Sequence, residues 1–186
     1  MKRRLGFVSN SSSSSYIYYP EHPEETIKPK RQQNRAYDPV GLPEKKIGVK
    51  GCKEFGWGPE ELHDSESKIN WCFLQAGYAC NEEFLEKIAL VIEDYEECVI
   101  RDLSNLFTTE KPDRQYEICS LKFRGKEYYM DGFYYIDHQS TCLERPRNGK
   151  MLESMDKIRT FIYGEAFIVL QNDNDYDCDY YFENGA

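Results

Sequence analysis

The clearest periodic pattern in the chain lies between Asn81 and Tyr95, where apolar residues recur at spacings of three and four. Asn81 is a good helix cap, and Glu82 and Glu83 put negative charge in the first turn, where the helix dipole favours it. The pattern therefore predicts an amphipathic helix that buries one face. The apolar positions of this face are Phe84, Leu85, Ile88, Val91, Ile92 and Tyr95.

A second helix is predicted immediately before this one. Gly56-Trp57-Gly58-Pro59-Glu60-Glu61 is expected to open it, because proline suits the first turn of a helix. Ile69, Trp71 and Phe73 continue the helix, which is expected to end near Gly77. Trp71 is expected in the core. Two neighbouring helices joined by a short turn predict an αα-hairpin.

Strand-like segments follow the two helices, and a turn is expected at Arg124-Gly125-Lys126 between two of them. One further helix is predicted at Met151–Tyr163. The strand-like segments are Lys46–Cys52, Cys98–Ile100, Gln115–Phe123, Glu127–Ile136 and Ala166–Leu170. The order of the elements is helices first, then strands, then a helix and a strand. This order predicts an α+β fold, with an antiparallel sheet on which the αα-hairpin and the further helix pack.

Charge divides the chain of 186 residues unevenly. Residues 1–53 hold 11 basic and 5 acidic side chains, which leaves 13 basic and 28 acidic ones in the rest. We expect a basic, Ser/Pro-rich arm at 1–44 and an acidic globular domain at 45–186. The arm could contact nucleic acid, or it could pack against its own acidic body. The acidic body disfavours wide contact with a phosphate backbone.

Seven cysteines lie at spacings that fit neither a disulfide framework nor a zinc finger. Lys2-Arg3-Arg4 is followed by serines where a secretory signal needs an apolar stretch, and no apolar run is long enough for a membrane span. Reduced thiols, a cytoplasmic location and no membrane partner are therefore expected. No cofactor is predicted.

The most distinctive segment is a run of five serines with apolar neighbours on both sides. It could be an anion-binding loop, a site of modification or a simple linker. It could also be a recognition segment that a partner binds, or an edge strand on its own fold, because the apolar neighbours supply anchors. The predicted binding residues are Phe7, Val8, Ser9, Asn10, Ser11, Ser12, Ser13, Ser14, Ser15 and Tyr16.

Two other segments carry candidate chemistry. Asp137, His138 and Ser140 are the candidate catalytic residues, because histidine exchanges protons near neutral pH and a serine two residues away can serve as nucleophile. No nucleophile elbow surrounds Ser140. Asp173 and Asp175 resemble the start of a calcium loop, but the glycine and the final glutamate of an EF-hand are missing. They are weak candidates for a divalent ion, and no metal site is predicted.

The string Gly6-Phe7-Val8-Ser9-Asn10 followed by five serines resembles one found near the start of many uncharacterised bacterial and tailed-phage proteins. Those proteins usually have Phe where this chain has Tyr16. Further similar patches are Phe55–Gly58, Ser67–Asn70, Ile136–Ser140, Phe161–Tyr163 and Asn172–Asn174. The resemblance implies a phage or bacterial origin and a recognised N-terminal segment. It implies no activity and no catalytic residues.

These observations favour a non-catalytic accessory protein that binds another macromolecule, with a protein as the expected partner and the serine-containing arm as the docking or modified segment. Nucleic acid is a weaker alternative as partner. A hydrolase or transferase centred on Asp137, His138 and Ser140 is one alternative function, and a structural component of a virion is another.

Overall fold

The computed structural model describes residues 13–18, 27, 41–48, 60–113, 120–129 and 152–172. Over these residues the fold is α+β, as the sequence predicts. Three helices pack around a shared apolar core, and all strand pairs of the two small sheets are antiparallel. The elements in chain order are β1 (Ser13–Tyr18), β2 (Glu60–Leu62), α1 (Ser65–Tyr78), α2 (Glu82–Glu96), β3 (Ser120–Phe123), β4 (Lys126–Tyr129), α3 (Met155–Tyr163) and β5 (Phe167–Asn172).

Helices α1 and α2 form the predicted αα-hairpin. Asn81 caps α2 as expected, because its Oδ1 accepts a hydrogen bond from the Phe84 amide at 2.9 Å. The predicted apolar face of α2 is buried, except that Tyr95 is only half-buried. Trp71 of α1 is completely buried and meets the ring of Phe161 edge to face, with 5.9 Å between the ring centroids. The prediction that Trp71 belongs to the core is confirmed.

Helix α3 supplies the third side of the core. Ser154 caps it by accepting a hydrogen bond from the Lys157 amide at 3.3 Å, so the helix begins four residues later than the sequence suggested. Its inward residues Ile158, Phe161 and Ile162 are fully buried, as predicted. Since α3 leads directly into β5, burial of this helix fixes where the central strand of the larger sheet begins.

The larger sheet has the order β1-β5-β2, so the last described strand of the chain lies between the first two. The smaller sheet is the β3-β4 hairpin, with its turn at the predicted place. Arg124 and Gly125 form this turn with φ values of 48° and 81°, as a two-residue type I′ turn requires.

A buried ion pair fastens the hairpin to α2. The Arg124 guanidinium donates to both carboxylate oxygens of Glu93, with 3.0 Å between Nη2 and Oε2. Glu93 is 1% exposed and also accepts the Ile100 amide at 2.6 Å. Arg124 Nη2 reaches Glu86 at 2.9 Å. Burial alone would lower the pKa of Arg124, but the two glutamates outweigh it and raise that pKa, so the guanidinium stays charged.

Three predictions of secondary structure are wrong for the described residues. Helix α1 does not open at Pro59–Glu61, because Glu60–Leu62 is strand β2 and the helix begins only at Ser65. Its cap is Asp64, whose Oδ1 accepts the Ser67 amide at 2.8 Å. Over residues 46–48, the described part of the expected strand Lys46–Cys52, the chain is not a strand. The expected strand Cys98–Ile100 is likewise absent, because Val99 forms only a single bridge with Glu44.

Candidate functional site

The serine-containing segment lies at an end of the larger sheet. Of the predicted binding residues, Ser13, Ser14, Ser15 and Tyr16 belong to β1, which pairs antiparallel with β5. This placement agrees with the predicted alternative of an edge strand on the chain's own fold. The other predicted binding residues, Phe7, Val8, Ser9, Asn10, Ser11 and Ser12, lie outside the described residues. A role of β1 in binding stays a prediction.

The register divides β1 into an apolar half and a serine half. Tyr16–Tyr18 stand opposite Phe167–Val169, whereas Ser13–Ser15 stand opposite residues 170–172. Ile17 is the partner of Ile168, and Leu62 of β2 pairs with Ile168 from the other side. Ile168 is completely buried and Leu62 is 4% exposed, so β5 and β2 meet the core here. The apolar residues after the serines thus stand opposite the beginning of β5.

A buried lysine holds the beginning of β5 in place. Lys68 of α1 is 1% exposed, and its Nζ donates to the carbonyl oxygens of Gly164 and Ala166 at 2.8 and 2.9 Å. The same Nζ lies 5.9 Å from the centroid of the Phe161 ring, within reach of a cation–π contact. Lys68 thus connects the end of α3 and the start of β5 to α1, and it indirectly positions the strand on which β1 rests.

A histidine and an aromatic ring lie beside the same sheet. His63 stacks on Phe167, with 4.4 Å between the ring centroids and 23° between the ring planes. Its Nε2 lies 2.9 Å from Oε2 of Glu61. The side chains of His63 and Glu61 are 58% and 44% exposed. His63 could not be singled out from the sequence, because its stacking partner Phe167 is more than a hundred residues away in the chain.

Ile27 and Lys45, which both lie within the basic residues 1–53, contact the acidic rest of the chain. The Ile27 amide donates to Oγ1 of Thr160 on α3 at 3.3 Å. The Lys45 ammonium forms an ion pair with Glu96, and the same carboxylate accepts the Tyr163 hydroxyl at 2.8 Å. These contacts agree with the expectation that the basic segment packs against its own acidic body. They do not test the boundary predicted between residues 44 and 45.

A separate polar cluster surrounds Asp102, near the smaller sheet. Its carboxylate accepts hydrogen bonds from the Ser104 hydroxyl, from Nζ of Lys126 at 3.1 Å and from the Tyr128 hydroxyl at 2.9 Å. The Ser104 bond, together with those of Lys126 and Tyr128, lowers the pKa of Asp102 to about 2 from the ordinary 3.8. A carboxylate with so low a pKa is a poor general base. We therefore interpret the cluster as one that stabilises the fold near the hairpin.

The low pKa of Asp102 predicts a loss of stability in acid. A carboxylate with a lowered folded-state pKa stabilises the protein above its unfolded pKa, and this contribution disappears as the pH falls from about 4 through about 2. We expect Asp102→Asn to lower the urea midpoint at pH 7 and to have no such effect near pH 1.5. The exposed Asp113→Asn is the control. Equal pH profiles of wild type and Asp102→Asn would contradict this expectation.

The predicted catalytic and metal-binding residues cannot be compared with the geometry. Asp137, His138 and Ser140 lie outside the described residues, as do the weak metal candidates Asp173 and Asp175. Within the ranges that are described, no group of three or more acidic, histidine or cysteine side chains could hold a metal ion. The catalytic assignment stays a prediction.

The cysteines agree only in part with the expectation of reduced thiols. Cys72 and Cys98 carry reduced thiols and are buried. Burial, reinforced by the Glu96 carboxylate, raises the pKa of Cys98 to about 11, so this thiol is protonated and unreactive at neutral pH. For Cys80 the prediction is wrong, because it is disulfide-bonded.

Comparison with protein-family models, curated proteins and solved structures finds no match for the chain. The resemblance of the N-terminal string to bacterial and phage proteins therefore stays a prediction. Among the helices of the described ranges, none has the length and apolar character needed to cross a membrane.

Proposed function

We propose that the protein is a non-catalytic binding protein of phage or bacterial origin, and that the serine-containing strand β1 is its docking element. One observation carries the proposal: β1 forms an end of the described sheet and pairs with β5 over six residues. Strands at sheet edges are recurrent sites of protein recognition, because their backbone groups can pair with an added strand. The expected partner is a protein with an extended segment.

Several contacts support a strand that is held in a defined place. Six residue pairs join β1 to β5, and Lys68 fixes the chain just before β5. Docking on a strand already in position avoids the entropic cost of ordering a loose segment at the moment of binding.

A pull-down with the full-length protein tests the proposal. The variant Tyr16→Pro/Ile17→Pro places proline at two consecutive strand positions. Since successive N–H groups of a strand point to opposite sides, one of these prolines removes a donor facing β5. Ile17→Val, which keeps the N–H and a branched apolar side chain, is the matched control. A partner that binds wild type and Ile17→Val directly, but is lost from the double-proline variant, supports the proposal. Identical partner profiles would contradict it.

A further inference from the structure

Strand β1 shows which sequence the edge of β5 accepts, and in which register. Six consecutive residue pairs join Ser13–Tyr18 to Phe167–Asn172. Among the described elements, β5 is the one against which β1 packs extensively. Strand β1 comes first in the chain, whereas β2, on the opposite side of β5, begins only at Glu60. The pairing of β1 with β5 is therefore a contact between two strands far apart in the chain, on the side of β5 opposite to β2.

We infer that the β5 edge is an acceptor site that also takes β1 from a second copy of this chain, in the same register as within one copy. The inference rests on the β1–β5 pairing and does not depend on the partner proposed above. When two copies exchange β1, each β1–β5 residue pair within one copy is replaced by the same residue pair between the two copies. The exchanged and the closed forms therefore differ little in contact energy, and concentration decides between them.

The length of the connection permits the exchange. Ile27 is bound to Thr160 of α3, and eight residues separate it from Tyr18. Nine residue steps span up to about 30 Å when extended. A chain of this length folds to a radius of gyration of about 16 Å. The strand can thus reach the β5 edge of a neighbouring copy while Ile27 keeps its contact with α3.

The same connection explains why the closed form dominates in dilute solution. A short tether gives the strand an effective concentration in the millimolar range at its own β5 edge. Exchange between copies is consequently expected only when the protein approaches that concentration, or when copies are held side by side. An added peptide with the sequence of β1 must compete with the tethered strand unless that strand is disabled.

A peptide-binding experiment with the full-length chain tests the inference. The probe is a fluorescent peptide of residues 9–19, and its binding is measured by anisotropy. The Tyr16→Pro/Ile17→Pro variant, whose own strand is disabled, is expected to bind the peptide saturably and one to one. Wild type is expected to bind at least ten-fold more weakly, because its own strand occupies the edge. A peptide of the same composition in scrambled order is the control.

Absence of peptide binding to the variant would overturn the inference, provided that circular dichroism shows the variant to be folded and its thermal unfolding is cooperative. Equal binding of the scrambled peptide would overturn it as well. If the variant fails to fold, an exchange experiment with the wild-type protein tests the inference instead. After isotope-labelled and unlabelled chains are incubated together near 1 mM, native mass spectrometry is expected to show mixed dimers, and their absence would contradict exchange. Neither readout involves the partner of the proposed function, so the two proposals can fail separately.

Discussion

Replacing Arg124 with alanine is expected to lower the free energy of unfolding by about 3 kcal/mol, because it removes the guanidinium that pairs with the buried Glu93 carboxylate. Glu93 is 1% exposed and keeps the Ile100 amide, but it loses both guanidinium hydrogen bonds. The Arg124 side chain is 26% exposed, so we place the effect at the lower end for a buried pair. Equilibrium unfolding in urea, followed by circular dichroism, measures it.

Two variants separate the side chain of Arg124 from its backbone conformation. The positive φ of 48° suits glycine, so Arg124→Gly keeps the turn while it removes the whole side chain with its guanidinium. It is expected to destabilise slightly less than alanine does. Arg124→Lys keeps the charge but lacks the planar fork, and an intermediate loss is expected. A free energy of unfolding for Arg124→Gly equal to that of wild type would show that the ion pair contributes nothing.

Replacing Lys68 with methionine is expected to lower the free energy of unfolding by about 2 kcal/mol and to loosen the serine strand. Methionine nearly matches the length of lysine but donates no hydrogen bond. The carbonyl oxygens of Gly164 and Ala166 would lose this donor, and a buried acceptor left unsatisfied costs about 1–3 kcal/mol. Since these carbonyls directly precede β5, we expect faster hydrogen exchange in β5 and in β1.

Lys87→Met is the matched control for this variant. Lys87 is a surface lysine on α2, and its ion pair with Glu83 lies within one helix. Its replacement is expected to change the free energy of unfolding by less than about 0.5 kcal/mol. If Lys68→Met leaves both the stability and the exchange of β5 unchanged, Lys68 does not position the sheet.

Local patterns predicted the elements whose residues interact over short distances in the chain. Helix α2 has a cap, acidic residues in its first turn and an apolar face, and each of these is visible in 15 residues. The β3-β4 hairpin needs only its two strands and the turn at Arg124 and Gly125. The α+β class follows from the order of such segments. For these parts, propensity and tertiary contacts favour the same structure.

The beginning of α1 was mispredicted because a distant strand decides it. Pro59 and the two glutamates suit a first helical turn, but Glu60–Leu62 pair with β5, more than a hundred residues later. Tertiary pairing overrides local propensity here. Asp64, three residues before Ser67, was the better indication of the helix start, because aspartate is a strong cap.

The buried contacts of Lys68 and Arg124 could not be predicted, because the partners of both residues are remote in sequence. Lys68 resembles any lysine on a helix until α3 and β5 place two carbonyl oxygens around its ammonium. Arg124 looks like an ordinary turn residue until α2 presents Glu93. For the serine segment, the apolar neighbours suggested an edge strand, but its partner strand and register came only from the structure.

Amide hydrogen exchange of Ser13–Tyr18 in the full-length protein, resolved residue by residue by NMR, tests the central claim most directly. If β1 is held on β5, every second amide of the strand points to β5, and these amides are expected to exchange at least a hundred-fold more slowly than an unstructured chain of the same sequence. The protection should disappear in the Tyr16→Pro/Ile17→Pro variant. Exchange of all six amides at the rate of an unstructured chain in wild type would contradict the account.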